Sequence, residues 1–152
     1  AIMLNNTYFD IAKNPWWEQD FTPLDIPEAK FVSRFALSDL KRMFYGSDLM
    51  LLIRGLRRLG KTTLIKQLIA DVLHQKRYPG QNIYFVEFTE QYNDLKLVLS
   101  QIPNDSLTII DEIQYCRRWK DQIKLFLDTY PRKRVVVTGS SRLDNGGRAS
   151  HW

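Results

Sequence analysis
The 152 residues are 44% apolar and 26% charged, with a formal net charge of +5; they can fill one core, but the chain is too short for a second domain of ordinary size. That charge is too small to choose among nucleotide, nucleic acid and acidic protein as partners. The single cysteine, Cys116, excludes an internal disulfide, and no run approaches the roughly 20 apolar residues of a membrane-spanning helix. With no basic segment leading into an apolar stretch at the N-terminus, the expected compartment is the cytoplasm, and no membrane partner is expected.

In chain order, residues 1–32 come first, rich in proline and aromatic side chains: Phe9, Pro15, Trp16, Trp17, Phe21, Pro23, Pro27 and Phe31 among them. The prolines break any long helix, so this stretch reads as an extended arm packing its aromatics across the main body. Leu37, Leu40 and Phe44 then mark one face of a short helix that stops near Gly46. Leu49 to Ile53 is a continuous apolar run, the pattern of a strand covered on both faces. Lys61 to Arg77 carries an apolar stripe of helical period through Leu64, Ile65, Leu68, Ile69 and Val72. Asn82 to Phe88 is the second strand, and Leu95 to Ile102 a short helix closed by Pro103. Leu107 to Ile110 is the third strand, Trp119 to Tyr130 the next helix, and Val135 to Val137 the fourth strand. Strands separated by single helices imply parallel crossovers, hence an α/β fold with helices on both faces of the sheet.

Between the first strand and the helix that follows it, Gly55, Leu56, Arg57, Arg58, Leu59, Gly60, Lys61 and Thr62 match G-x-x-x-x-G-K-[ST]. The glycines let backbone N–H groups turn inward onto phosphate oxygens, and the helix N-terminus adds its partial positive charge. Lys61 is expected to reach the β- and γ-phosphates, the Thr62 hydroxyl to ligate Mg²⁺, and Thr63 to reach the α-phosphate. The third strand ends in Asp111-Glu112. Asp111 is placed to hold Mg²⁺ through a water, and Glu112 to polarise the water that attacks the γ-phosphate. That glutamate, with no Asn-Lys-x-Asp sequence anywhere in the chain, favours ATP over GTP. The fourth strand leads into Thr138-Gly139-Ser140-Ser141. Ser140 first and Thr138 second are the candidates to touch the γ-phosphate or its water; a helix N-cap is the structural alternative.

Other groups read as structural. Arg57 and Arg58 serve equally well as nucleotide contacts or as solvated loop residues. The cluster Arg117, Arg118, Lys120 and Lys124, and the run Arg132 to Arg134, could meet nucleic-acid phosphates but read better as solvated faces. Trp16 and Trp17 could stack on adenine, although packing against the domain is the better reading. His74, His151 and Cys116 lack metal-ligand spacing.

Taken together, Gly55 to Thr63, Ile110-Asp-Glu-Ile-Gln114 with Trp119, and Val137 to Asp144 resemble the archaeal and bacterial AAA+ ATPases of the AAA-14 family, as does Asn14-Pro-Trp-Trp17 ahead of them. The resemblance implies a P-loop NTPase three-layer sandwich with parallel sheet order 1-4-3-2, the fifth strand and helical lid missing. The expected organisation is an arm over 1–32, an ATPase core over 33–141 and a glycine-containing tail over 142–152. Expected function is Mg²⁺-dependent binding and hydrolysis of ATP, with ATP and ADP as ligands and Glu112, Lys61 and Ser140 as catalytic residues. Arg148 in the tail is a weak candidate for an arginine finger. A homo-oligomer or a C-terminal effector domain is the implied protein partner; nucleic acid is without support. The alternative function is a nucleotide-binding switch or scaffold without useful turnover.

Overall fold
The computed structural model describes residues 8–30, 35–46, 50–54 and 61–139. Four strands, β1 (Met50–Arg54), β2 (Ile83–Glu87), β3 (Leu107–Asp111) and β4 (Arg134–Gly139), alternate with α2 (Lys61–His74), α3 (Leu95–Ser100) and α4 (Trp119–Thr129), and α1 (Phe35–Gly46) precedes them. The sheet is parallel throughout, in the order β1-β4-β3-β2 expected from the sequence. Each apolar run is continuous because both faces of its strand are covered. On one face Leu51, Ile83, Phe85, Ile109 and Val136 pack against Ile65, Leu68 and Ile69 of α2 and Leu40 and Phe44 of α1. On the other, Leu52, Tyr84, Val86, Ile110, Val135 and Val137 meet Val98 and Leu99 of α3 and Ile123 and Leu127 of α4. Alternate residues of one strand thus belong to different cores, as the two-residue period of a strand requires.

Local chemistry sets the helix ends. α3 begins at Asp94, whose carboxylate accepts the Leu97 amide at 3.1 Å, an N-cap that satisfies one of the open first-turn donors. α2 stops at His74, short of the expected Arg77. Lys76 there adopts a left-handed conformation (φ 55°), and the amides of Lys76 and Arg77 turn back to the carbonyls of Leu73 and Val72. The turn does what a glycine usually does at a helix C-terminus, but with a lysine, so the sequence carries no signal for it.

In the N-terminal arm, residues 8–30 hold three short 3₁₀ turns, at Pro15–Trp17, Pro23–Asp25 and Pro27–Lys30. The first lies along β2, the strand at one edge of the sheet. Asn14, fully buried, donates from Nδ2 to the Phe85 carbonyl (3.1 Å) and accepts the Phe85 amide at Oδ1 (2.7 Å). Its side-chain amide thus stands in for the peptide group of a fifth strand. The indoles of Trp16 and Trp17 both donate to the Ile83 carbonyl, at 2.9 and 2.7 Å. These bonds satisfy outward-facing backbone groups that an exposed edge would offer to another chain. Close approach depends on Gly80, where a Cβ would lie 2.0 Å from the Trp16 carbonyl oxygen.

Candidate functional site
At the C-terminal ends of β3 and β4, beside the first residue of α2, four polar side chains are buried together: Lys61, Asp111 and Glu112 at 4–5% exposure and Thr138 at 0%. Lys61 Nζ lies 2.7 Å from Glu112 Oε1 and 3.5 Å from Asp111 Oδ1. A lysine in the first turn of a helix opposes the helix dipole, and burying its ammonium costs more still without a partner. Both costs are offset here by the carboxylates of Asp111 and Glu112, far along the chain. Such a conflict with local preference marks a functional position.

The β3–β4 ladder pairs Ile110 with Val137 and goes no further. Beyond it the Thr138 hydroxyl takes over, donating to Asp111 Oδ1 and accepting the Glu112 amide at 3.2 Å. Glu112 has a left-handed backbone (φ 60°, ψ 50°), which lifts the chain off the strand into the 3₁₀ turn Ile113–Tyr115. For a residue with a Cβ that conformation costs about 1–3 kcal/mol and persists only where its surroundings fix it.

Lys61, Asp111 and Glu112 together carry one more negative than positive charge, inside a nearly dry cluster. The hard oxygen donors here suit a magnesium ion, which takes only one or two protein oxygens and fills its shell with water and phosphate. Asp111 and the exposed Thr62 in the first turn of α2 are the residues that could hold it. Among the described residues no group of three or more His, Cys, Asp or Glu side chains forms a metal cage by itself.

The structure thus brings Lys61, Asp111, Glu112 and Thr138 together, with Thr62 and the half-buried Thr63 in the same first turn of α2. Gly55 to Gly60, Ser140 and Arg148 lie outside the described residues. Trp16 and Trp17 bond to Ile83, the first residue of β2, at the opposite end of the sheet from this cluster, so they do not flank it. The run Arg132 to Arg134 is engaged within the protein. Arg132 pairs with Asp105, Lys133 lies 4.2 Å over the Tyr130 ring, and the Arg134 guanidinium lies 4.1 Å over Phe44 while donating to its carbonyl. Burial lowers the pKa of Lys133 and raises that of Cys116, which leaves the thiol a weak nucleophile. Arg117, Arg118 and Lys124 are exposed. No helix among the described residues is long and apolar enough to cross a membrane.

Two features escaped the sequence reading. Asn14 was invisible because its partner is 71 positions away. The sequence offers Thr138 as the second candidate to touch the γ-phosphate or its water, with a helix N-cap as the alternative; the signal for its inward role, a threonine where the ladder ends beside an acidic pair, reads only once Glu112 is known to turn left-handed.

Comparisons with known proteins follow the same lines. An uncharacterized protein of Methanocaldococcus jannaschii is 33% identical over 105 residues, covering 62% of this chain. The chain spans only 22% of that relative's length. Among solved structures, the RuvB Holliday junction branch migration motor of Thermotoga maritima is similar at 18% identity and a TM-score of 0.48, over 80% of this chain and 44% of that one. PCH-2 of C. elegans is similar at 14% identity and a TM-score of 0.38, over 68% of this chain and 34% of that one. The AAA domain family AAA-14 matches residues 47–150. That match spans well over half of the sequence and takes in the four strands and the buried cluster at their ends, so the chain belongs to this family of nucleotide-binding AAA domains.

Proposed function
We propose that the chain binds ATP with magnesium and hydrolyses the β–γ phosphoanhydride. The observation that carries this reading is the buried contact of Lys61 with Glu112 and Asp111, beside the start of α2 and beyond the end of β3. A single ammonium shared by two carboxylates is poised for exchange. Phosphate oxygens, themselves strong acceptors, compete with Glu112 for Lys61. Lys61 then stabilises the charge that develops on the γ-phosphoryl group, together with the amides of residues 55–60. Glu112, released from the ammonium, holds a water and takes its proton as the water oxygen bonds to γ-phosphorus. The bond from γ-phosphorus to the bridging oxygen breaks, giving ADP and inorganic phosphate. Asp111 and Thr62 are the residues that would hold magnesium, whose chemistry there is to neutralise charge on the β- and γ-phosphate oxygens. Ser140 is the further polar group assigned to the γ-phosphate or its water. A second copy of the chain, or an attached effector domain, is the protein partner this reading expects.

The same ion pair supports a second reading. If Lys61 stays on Glu112 with nucleotide bound, the chain holds nucleotide as a switch without useful turnover. Phosphate release in excess MgATP, measured for wild type and Glu112→Gln, separates the two. Hydrolysis predicts wild-type turnover that falls at least about 100-fold in the variant. Nucleotide binding without phosphate release in either protein selects the switch, and no nucleotide binding at all overturns both.

A further inference from the structure
We propose that Thr138 is a positioning residue: it fixes the direction of Glu112 and Asp111 from behind and does not itself touch nucleotide. The inference rests on the hydrolytic reading above, but its physical core, a two-bond clamp on the end of β3, can be tested without turnover.

The ladder geometry shows why a clamp is needed. Parallel pairing between β3 and β4 ends at Ile110 and Val137; Asp111 then closes β3, and Glu112 follows it. Glu112 turns left-handed there, and the chain leaves the strand. The Thr138 oxygen accepts the Glu112 amide at 3.2 Å, and the hydroxyl proton goes to Asp111 Oδ1. One hydroxyl, used as both acceptor and donor, therefore joins the last residue of β3 and the residue after it to β4. Threonine suits the task because its branched β-carbon restricts χ1, so the oxygen is held in place at little further entropic cost. With the side chain fully buried and its one hydroxyl proton given to Asp111, Thr138 has no donor left for an incoming phosphate.

The consequence for chemistry is geometric. The Glu112 carboxylate points where its backbone sends it, and the backbone stays left-handed because its amide is held. Without the hydroxyl the turn relaxes, and the carboxylate shifts relative to the water it must hold. Displacements of about 1 Å in such groups cost on the order of 100-fold in rate.

The experiment compares wild type, Thr138→Val and Thr138→Ser in three measurements: phosphate release, affinity for ATP and ADP, and hydrogen exchange of the Glu112 amide. Valine keeps the shape without the hydroxyl, whereas serine keeps the hydroxyl and loses a methyl. The clamp predicts a kcat about 30- to 100-fold lower in Thr138→Val, with ATP and ADP affinities each within about threefold of wild type. It predicts Glu112 amide exchange at least about tenfold faster in that variant, and turnover near wild type in Thr138→Ser. A selective loss of ATP affinity with ADP affinity kept would mean direct γ-phosphate contact and overturn the proposal. So would an unprotected Glu112 amide in wild type, unchanged exchange in Thr138→Val, or no rescue by serine. If wild type releases no phosphate, the hydrolytic reading fails on its own, and the exchange comparison still decides the clamp. If Thr138→Val does not fold, wild-type protection of the Glu112 amide and the serine variant decide it.

Discussion

The edge of β2 and the end of β3 both bury polar groups, and they satisfy them by opposite means. At the edge, neutral donors and acceptors of the arm meet backbone groups of β2, with Asn14 at Phe85 and the two indoles at Ile83. Every bond there joins dipole to dipole, and nothing in the arrangement is left to give to a ligand. At the end of β3, charge meets charge: the Lys61 ammonium lies against the carboxylates of Asp111 and Glu112. A neutral bond within the backbone edge serves folding alone. Buried charges are the costlier choice for folding, and that difference separates the two regions more sharply than their burial does.

The comparison can be broken most forcefully at Lys61. Lys61→Met leaves both carboxylates buried without their cation and is expected to lower unfolding stability by about 4 kcal/mol, read from urea denaturation. Glu112→Gln removes one charge and keeps an acceptor for Lys61. Its expected change is within about 1 kcal/mol in either direction, although the hydrolytic reading expects the same variant to lose turnover. Equal losses in the two variants would mean that folding depends on both charges alike.

On the arm side, Gly80→Ala drives a Cβ into the Trp16 carbonyl and must push the first 3₁₀ turn off β2. The expected loss is about 3 kcal/mol, with nucleotide affinity unchanged in the molecules that remain folded. Asn14→Ala releases the same segment, so the double variant should lose less than the sum of the two single losses. Additive effects would show that the two residues hold the arm independently.

The smallest effect sharpens the contrast between two threonines. Thr108 is fully buried in β3, and its hydroxyl oxygen has no hydrogen-bond partner among the described residues, whereas Thr138 uses its hydroxyl twice. Thr108→Val should be neutral or stabilising by about 1 kcal/mol, because it removes an unsatisfied buried group. The thermal unfolding midpoint checks this, and a clear fall would mean that the Thr108 hydroxyl is satisfied after all.

Much of this architecture was legible in the residues. Uninterrupted apolar runs at Leu51, Tyr84, Ile109 and Val136 told of strands covered on both sides, and the helical period after Lys61 told of α2. Glycine spacing before Lys61 and the acidic pair at the third strand's end identified the residues that meet at the cluster. What stayed hidden was conformational. Lys76 and Glu112 turn left-handed without being glycine, because tertiary contacts rather than local preference hold them there. The shortened α2 and the inward role of Thr138 both follow from those two dihedral angles. Asn14 was hidden for a different reason: a side chain that imitates a strand leaves no periodicity to detect.

The AAA-14 match spans residues 47–150, while the segment that shields β2 lies within residues 8–30. The brace on the β2 edge therefore lies outside the matched span. A chain trimmed to the family boundaries would lose Asn14, Trp16 and Trp17 and leave the Ile83 carbonyl and both peptide groups of Phe85 facing outward. Strand edges of that kind recruit one another, so the arm is as much a guard against self-association as a brace for the sheet.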